Sequence, residues 1–203
     1  MTVKKVLVLR SSDSGGLSHD GFQWPEKGIC EAPDFEPTAK CGNGLHGLLW
    51  GTGDTSLYNW SSTATWQVVE VKETDLIDIG GDKVKFPRGK VVCSGSREKA
   101  WDFLMKNGGA DHGAQYFVDG SHIVTNGIAF ALGNSTVKAL GNSTVKAFDN
   151  STVSAEDIAT IIKFSSGVKV DMKDLVALVD RSQNLFEVVE VSIPDGKKLK
   201  LRN

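Results

Sequence analysis

G-N-S-T-V-K-A-L at 133–140, G-N-S-T-V-K-A-F at 141–148 and D-N-S-T-V-S-A-E at 149–156 are three near-copies of one octapeptide, placed end to end. Self-similarity at a fixed period is the mark of stacked structural units. Successive side chains of a strand point to opposite faces. If Val137 faces in, so do Ser135 and Ala139, and Thr136 and Lys138 face out. The choice is forced, because an unpaired lysine cannot sit in a core. The same reading puts Thr144 and Lys146 outside. Gly133-Asn134 and Gly141-Asn142 supply corners, where Gly and Asn tolerate positive φ. Two octads then make one coil, with Val137 stacked on Val153 and Val145 facing them across a thin core. Residues 121–124 and 128–131 read as earlier rungs and 159–164 as a later one, with Phe164 capping the end. A hairpin meander is the alternative. Rungs this thin bury little apolar area, so they need neighbours or a partner chain. Self-association or a protein partner is therefore expected.

The octads resemble those of ice-nucleation proteins, which carry A-G-Y-G-S-T-type units. Ice templating requires a long, flat, regular threonine array. Here the outward pair is Thr plus Lys over only a few rungs. The expectation is a spacer or interaction surface made of Thr136, Lys138, Thr144 and Lys146.

Working outward, the repeat is flanked by further strand patterns. Residues 3–9, 66–71, 74–79, 83–86 and 89–93 read as strands. The segment 42–53 reads as a glycine-rich stretch around a small apolar cluster. Ser96 is an N-cap for a helix with Ala100, Phe103 and Leu104 on one face, stopped by Asn107-Gly108-Gly109. Late strand patterns lie at 168–170, 176–179, 186–193 and 199–201, with Pro194-Asp195-Gly196 as a hairpin turn. The expected fold is mostly β. An α+β domain covers 1–109, an octapeptide segment (short β-solenoid or β-meander) covers 110–164, and a C-terminal β cap covers 165–203.

The formal charge of −2 in 203 residues leaves no electrostatic footprint for nucleic acid. No apolar stretch has the length of a membrane span, so no membrane partner is expected. The apolar run at 6–9 is too short for a signal-peptide core, so cytoplasmic synthesis is expected. The N-S-T matches at Asn134, Asn142 and Asn150 read as by-products of the repeat. Cys30, Cys41 and Cys93 read as free thiols, and no cofactor motif is present.

Cys41-Gly42-Asn43-Gly44-Leu45-His46, preceded by Gly21-Phe22-Gln23-Trp24-Pro25, resembles an uncharacterised domain family of bacterial and phage proteins with a C-G-x-G-L-H core. That resemblance implies no established activity. Arg10 on a first strand, then Gly44 to His46, then Val68 to Val71, distantly resembles ADP-ribosyltransferase-like folds. In that resemblance Arg10, His46 and Glu70 are the catalytic candidates. The helix usual after G-L-H is replaced by a Gly/Ser/Thr-rich stretch, and Glu70 lies inside a strand pattern. Cys41, His46 and Cys93 are metal-ligand types, yet their spacing lacks any C-x-x-C, and no metal is expected. Trp50 and Trp60 would be interaction anchors if their glycine-rich loop is exposed. The expectation drawn from these features is a non-enzymatic binding or assembly module, phage- or prophage-encoded and virion-associated. The competing expectations are a transferase-like N-terminal enzyme and a sequestering anti-defence factor.

Overall fold

A computed structural model describes residues 4–18, 20–117, 119–182, 188–193 and 197–201, the last two stretches as backbone only. The chain divides into two compact units, 1–114 and 115–203.

The first unit is built on β1 (Lys5–Ser12), β2 (Gly28–Glu31), β3 (Leu45–Leu49), β4 (Thr65–Lys72), β5 (Ile77–Asp78), β6 (Lys83–Phe86) and β7 (Arg88–Gly95), followed by helix α1 (Arg97–Leu104). They form one antiparallel sheet in the order β2-β7-β4-β1-β3-β6-β5. Both faces of its centre are buried, which is why β1 and β4 read as near-continuous apolar runs. Val8 pairs with Val69, and both join Trp24, Val84, Phe86 and Val91 in one core. Leu9 and Trp66 occupy the other face, where α1 packs through Ala100, Trp101 and Leu104. Ser96 caps α1 as its position predicts, its hydroxyl accepting from the Lys99 amide.

β3 was not legible as a strand. It lies between β1 and β6 and is drawn into the sheet by pairing on both edges (Leu9 with Leu48, Leu45 with Phe86), which overrides its glycine-rich composition. The strand read at 74–79 is instead a single helical turn, Glu73–Asp75, and the two-residue β5.

The second unit winds through β8 (Tyr116–Phe117), β9 (Ser121–Val124), β10 (Ile128–Ala131), β11 (Thr136–Ala139), β12 (Thr144–Ala147), β13 (Thr152–Ala155), β14 (Thr160–Lys163), β15 (Lys169–Met172) and β16 (Ala177–Asp180), and ends in β17 (Val188–Ile193) and β18 (Lys197–Leu201). Odd and even rungs form two parallel ladders, β9-β11-β13-β15 and β8-β10-β12-β14-β16, and β17-β18 extend the second antiparallel. This is a β-solenoid of about four turns, so the meander alternative is excluded. Thr136 pairs with Thr152 and Val137 with Val153, one coil apart. Val137, Val145, Val153 and Ile161 are fully buried in the shared core.

Three details differ from expectation. β15 and β16 continue the coils, so the antiparallel cap is confined to β17 and β18. Phe164 is not terminal; its ring stacks on Phe148 (4.7 Å, 3°), and Arg181 lies 5.6 Å from it. The left-handed corner positions include Gly133, Gly141, Asp149, Asp157 and Asp174, and the neighbouring Asn134, Asn142 and Asn150 do not share that conformation. The proposed turn at 194–196 lies outside the described residues.

Candidate functional site

A cavity of about 860 Å³ opens in the first unit, with Arg10, Ser18, Trp24, His46, Tyr58 and Lys83 in its wall. Its volume is that of a small-molecule site. Arg10 is 8% exposed. Its guanidinium lies 3.8 Å from the centre of the Trp24 ring and donates to Gln67 Oε1 (2.6 Å) and Ser18 Oγ (3.2 Å). Trp24 Nε1 donates to the same Ser18 oxygen (2.8 Å). Among the described residues no carboxylate is within ion-pair distance of Arg10. Burial pulls the guanidinium down to about 9, with Cys30 and Asp20 acting the other way, so it remains a cation at neutral pH.

Strand register sets how the wall is made. Arg10 lies opposite Gln67 on the face shared with Val8 and Val69. His46 lies opposite Lys85 and, by alternation, on the other face. The cavity therefore takes residues from both faces near the end of β3. His46 Nε2 and the Tyr58 hydroxyl are buried without a hydrogen-bond partner. Burial, then Lys83 and Lys85, lower the His46 pKa, leaving a neutral imidazole. Burial raises the Tyr58 pKa. Asp13, Asp20 and Asp34 are exposed along the rim.

The C-G-N-G-L-H segment is shaped by a residue the motif does not contain. Lys85 is fully buried, and its ammonium donates to the carbonyls of Lys40 (2.9 Å) and Gly42 (3.4 Å) and to Thr38 Oγ1 (3.4 Å). Gly44 has φ +140°, and a Cβ there would meet Lys85 Cγ at 2.9 Å. Only glycine suits that position.

Of the other sequence-picked residues, Glu70 does not line the cavity. It pairs with Lys5 at 2.6 Å. Trp50 is half-buried and stacks on His112 (4.0 Å, 8°). Trp60 is half-buried, packs edge-on against Tyr58 and Trp66, and donates to the Thr55 carbonyl. Cys41 is exposed and accepts from Lys83 at 3.2 Å. Cys93 is buried elsewhere, beside the Lys99 carbonyl. Among the described residues no three His, Cys, Asp or Glu side chains cluster as a metal site. Ser18, Gln67 and Tyr58 were missed: Gln67 gains its role from pairing opposite Arg10, and Ser18 and Tyr58 lie on loops that the fold brings to the cavity.

On the solenoid, Thr136 and Lys138 face out, with Ser135, Val137 and Ala139 fully buried. Thr144 and Lys146 occupy the matching places on the other ladder. Pairing aligns Ser121, Thr136 and Thr152 in one outward hydroxyl column. In the next column Lys138 bonds Glu156 (3.2 Å), which Lys173 also approaches (3.5 Å).

Residues 6–105 match the family described as "Domain of unknown function (DUF7666)". The chain is also similar to bacterial proteins named for ice nucleation. The "Ice nucleation protein" of Pseudomonas fluorescens is 41% identical over 108 residues, 53% of this chain and 9% of that protein. The one from Xanthomonas campestris pv. translucens is 34% identical over 108 residues, 53% of this chain and 7% of its own length. "Ice nucleation protein InaU" of Pantoea ananas is 36% identical over 106 residues, 52% and 10%. The matched stretch thus spans about a tenth of these relatives. No solved structure matches.

These relatives correct the functional expectation. They are proteins of cellular bacteria named for ice nucleation, so the phage-encoded assembly module, the transferase-like enzyme and the anti-defence factor are set aside. The cytoplasmic or virion-associated placement is set aside on the same finding. No described helix is long and apolar enough to cross a membrane.

Proposed function

We propose that the coil stack acts at the ice–water boundary and that copies of the chain associate to enlarge the active face. The observation that carries this reading is the in-register hydroxyl column Ser121, Thr136 and Thr152 on the β9-β11-β13 ladder. Adjacent strands of a ladder lie about 4.8 Å apart, so these hydroxyls repeat at a fixed short interval on a rigid face. Similarity to proteins named for ice nucleation supports the same reading.

The face is short. Lys169 interrupts the column after Thr152, and the neighbouring column contains Lys138. A single chain offers too little regular surface to act strongly. Association supplies the missing area, because further coils add equivalent rungs.

Freezing of droplets containing the purified chain tests this directly over a concentration series. Droplets should freeze warmer than buffer, and the shift should grow more steeply than in proportion to concentration. Thr136→Lys with Thr152→Lys should abolish the shift while circular dichroism stays unchanged, since Lys169 already occupies that column. Droplets freezing with buffer at every concentration would overturn the proposal.

A further inference from the structure

We propose that the cavity of the first unit binds a small organic oxyanion, a carboxylate or phosphate on an apolar body, held by Arg10. This site is separate from the hydroxyl column and independent of the ice reading.

Arg10 carries the inference. A guanidinium has five N–H donors in a planar fork. Two bonds, to Gln67 and Ser18, are made inside the protein, and the remaining donors have no protein acceptor among the described residues. A buried charge without a counter-charge is costly. Stacking on Trp24 relieves part of that cost and also locks the plane of the fork. Such an arrangement fits an incoming anion, to which Arg offers two parallel bonds.

Two polar atoms set behind the wall are also unsatisfied. His46 Nε2 and the Tyr58 hydroxyl are buried without partners, and both residues line the cavity. Buried polar atoms are rarely left so. Phe22, Trp24, Leu45 and Leu57 supply apolar surface, which favours an organic anion over a bare inorganic one. The lowered Arg10 pKa agrees, as it reports a desolvated cation.

The competing account is that Arg10 only clamps the segment bearing Ser18 and Trp24, with Asp20 as a distant counter-charge. Asp20 acts through space on both Arg10 and His46, so the two accounts differ at Asp20. If the cavity takes an anion, Asp20 repels it. If the clamp is all there is, Asp20 stabilises the fold.

The test is titration of the full chain with benzoate and, separately, inorganic phosphate, read by tryptophan fluorescence and melting temperature. Saturable binding of both is expected, with benzoate tighter; phosphate tighter would overturn the organic body. Arg10→Gln should weaken binding about ten- to a hundredfold. Asp20→Asn should tighten it about two- to fivefold. If Arg10→Gln fails to fold, the Arg10 Nε–H resonance of the wild-type chain decides, and it should shift with benzoate. The proposal fails if neither anion gives saturable binding or if that resonance stays still. It also fails if Arg10→Gln folds and binds normally, or if Asp20→Asn lowers the melting temperature without changing anion affinity.

Discussion

Ser135, Ser143 and Ser151 hold one octad position and are all fully buried, yet their hydroxyls differ. Ser151 Oγ donates to the Phe148 carbonyl at 2.7 Å. Ser135 and Ser143 have no partner. A made hydrogen bond contributes about 1 kcal/mol net, and an unmade buried one costs a desolvation penalty. Ser151→Ala should therefore lower stability by about 1 kcal/mol. Ser143→Ala should be neutral or stabilising. Urea unfolding of the two variants checks the opposite signs; equal losses would contradict them. Identical letters in the repeat predicted identical roles. The difference lies in the side chain alone, since all three serine amides make the same turn bond, to Leu132, Leu140 and Phe148.

The replacement of glycine by aspartate at the third corner looks like decay of the repeat and is a bond. Asp149 Oδ2 accepts from the Gly133 amide one coil earlier, and Asp157 Oδ2 from Gly141, both at 3.0 Å. The Asp149 amide in turn donates to Ser165 Oγ. Both aspartates have positive φ (56° and 63°), which Asp tolerates better than most residues. Asp157→Ala should cost about 1–2 kcal/mol, losing the bond while keeping a strained backbone. Asp157→Gly should cost less, because it relieves φ. Thermal unfolding ranks the pair, and a larger loss for Gly would refute the account.

Charge pairing on the same ladder gives a pH dependence. Glu156 is held below the usual carboxylate range, first by the hydrogen bond from Lys138 and further by the Lys138 and Lys173 charges. A depressed folded pKa gives stability that is complete above the unfolded value and is lost as pH falls through the folded one. The melting temperature should fall on acidification below about pH 4. Glu156→Gln should flatten that decline. A decline unchanged in the variant would assign the acid sensitivity elsewhere.

At the scale of the whole molecule, each coil contacts only its neighbours, so solenoid stability grows with coil number. Inserting a second copy of 133–148 preserves which octad faces which ladder, since partners stand one coil apart. That insertion should raise the melting temperature of the second unit. Inserting one octad alone moves every later strand to the other ladder and breaks the Gly133–Asp149 bond, so it should lower it. The solenoid core is equally exposed to loss. Ile161 is fully buried, and Ile161→Ala should cost about 2–5 kcal/mol by chemical denaturation.

By itself, the sequence determined the period of the repeat, the inward set Ser135, Val137 and Ala139, the outward Thr136 and Lys138, the existence of corners and the capped helix α1. Each follows from local alternation, backbone freedom or the impossibility of burying a bare lysine, and all are visible within a few residues. Only the tertiary structure decided that the octads stack in parallel, that β15 and β16 are coils, that β3 is a strand, and that Arg10, held by Gln67, meets Ser18 and Trp24 at one cavity. Those facts depend on pairings between residues far apart in the chain. Leu45 becomes part of a strand because Phe86 and its neighbours pair beside it, and Arg10 becomes an unpaired buried cation because Gln67 stands opposite it.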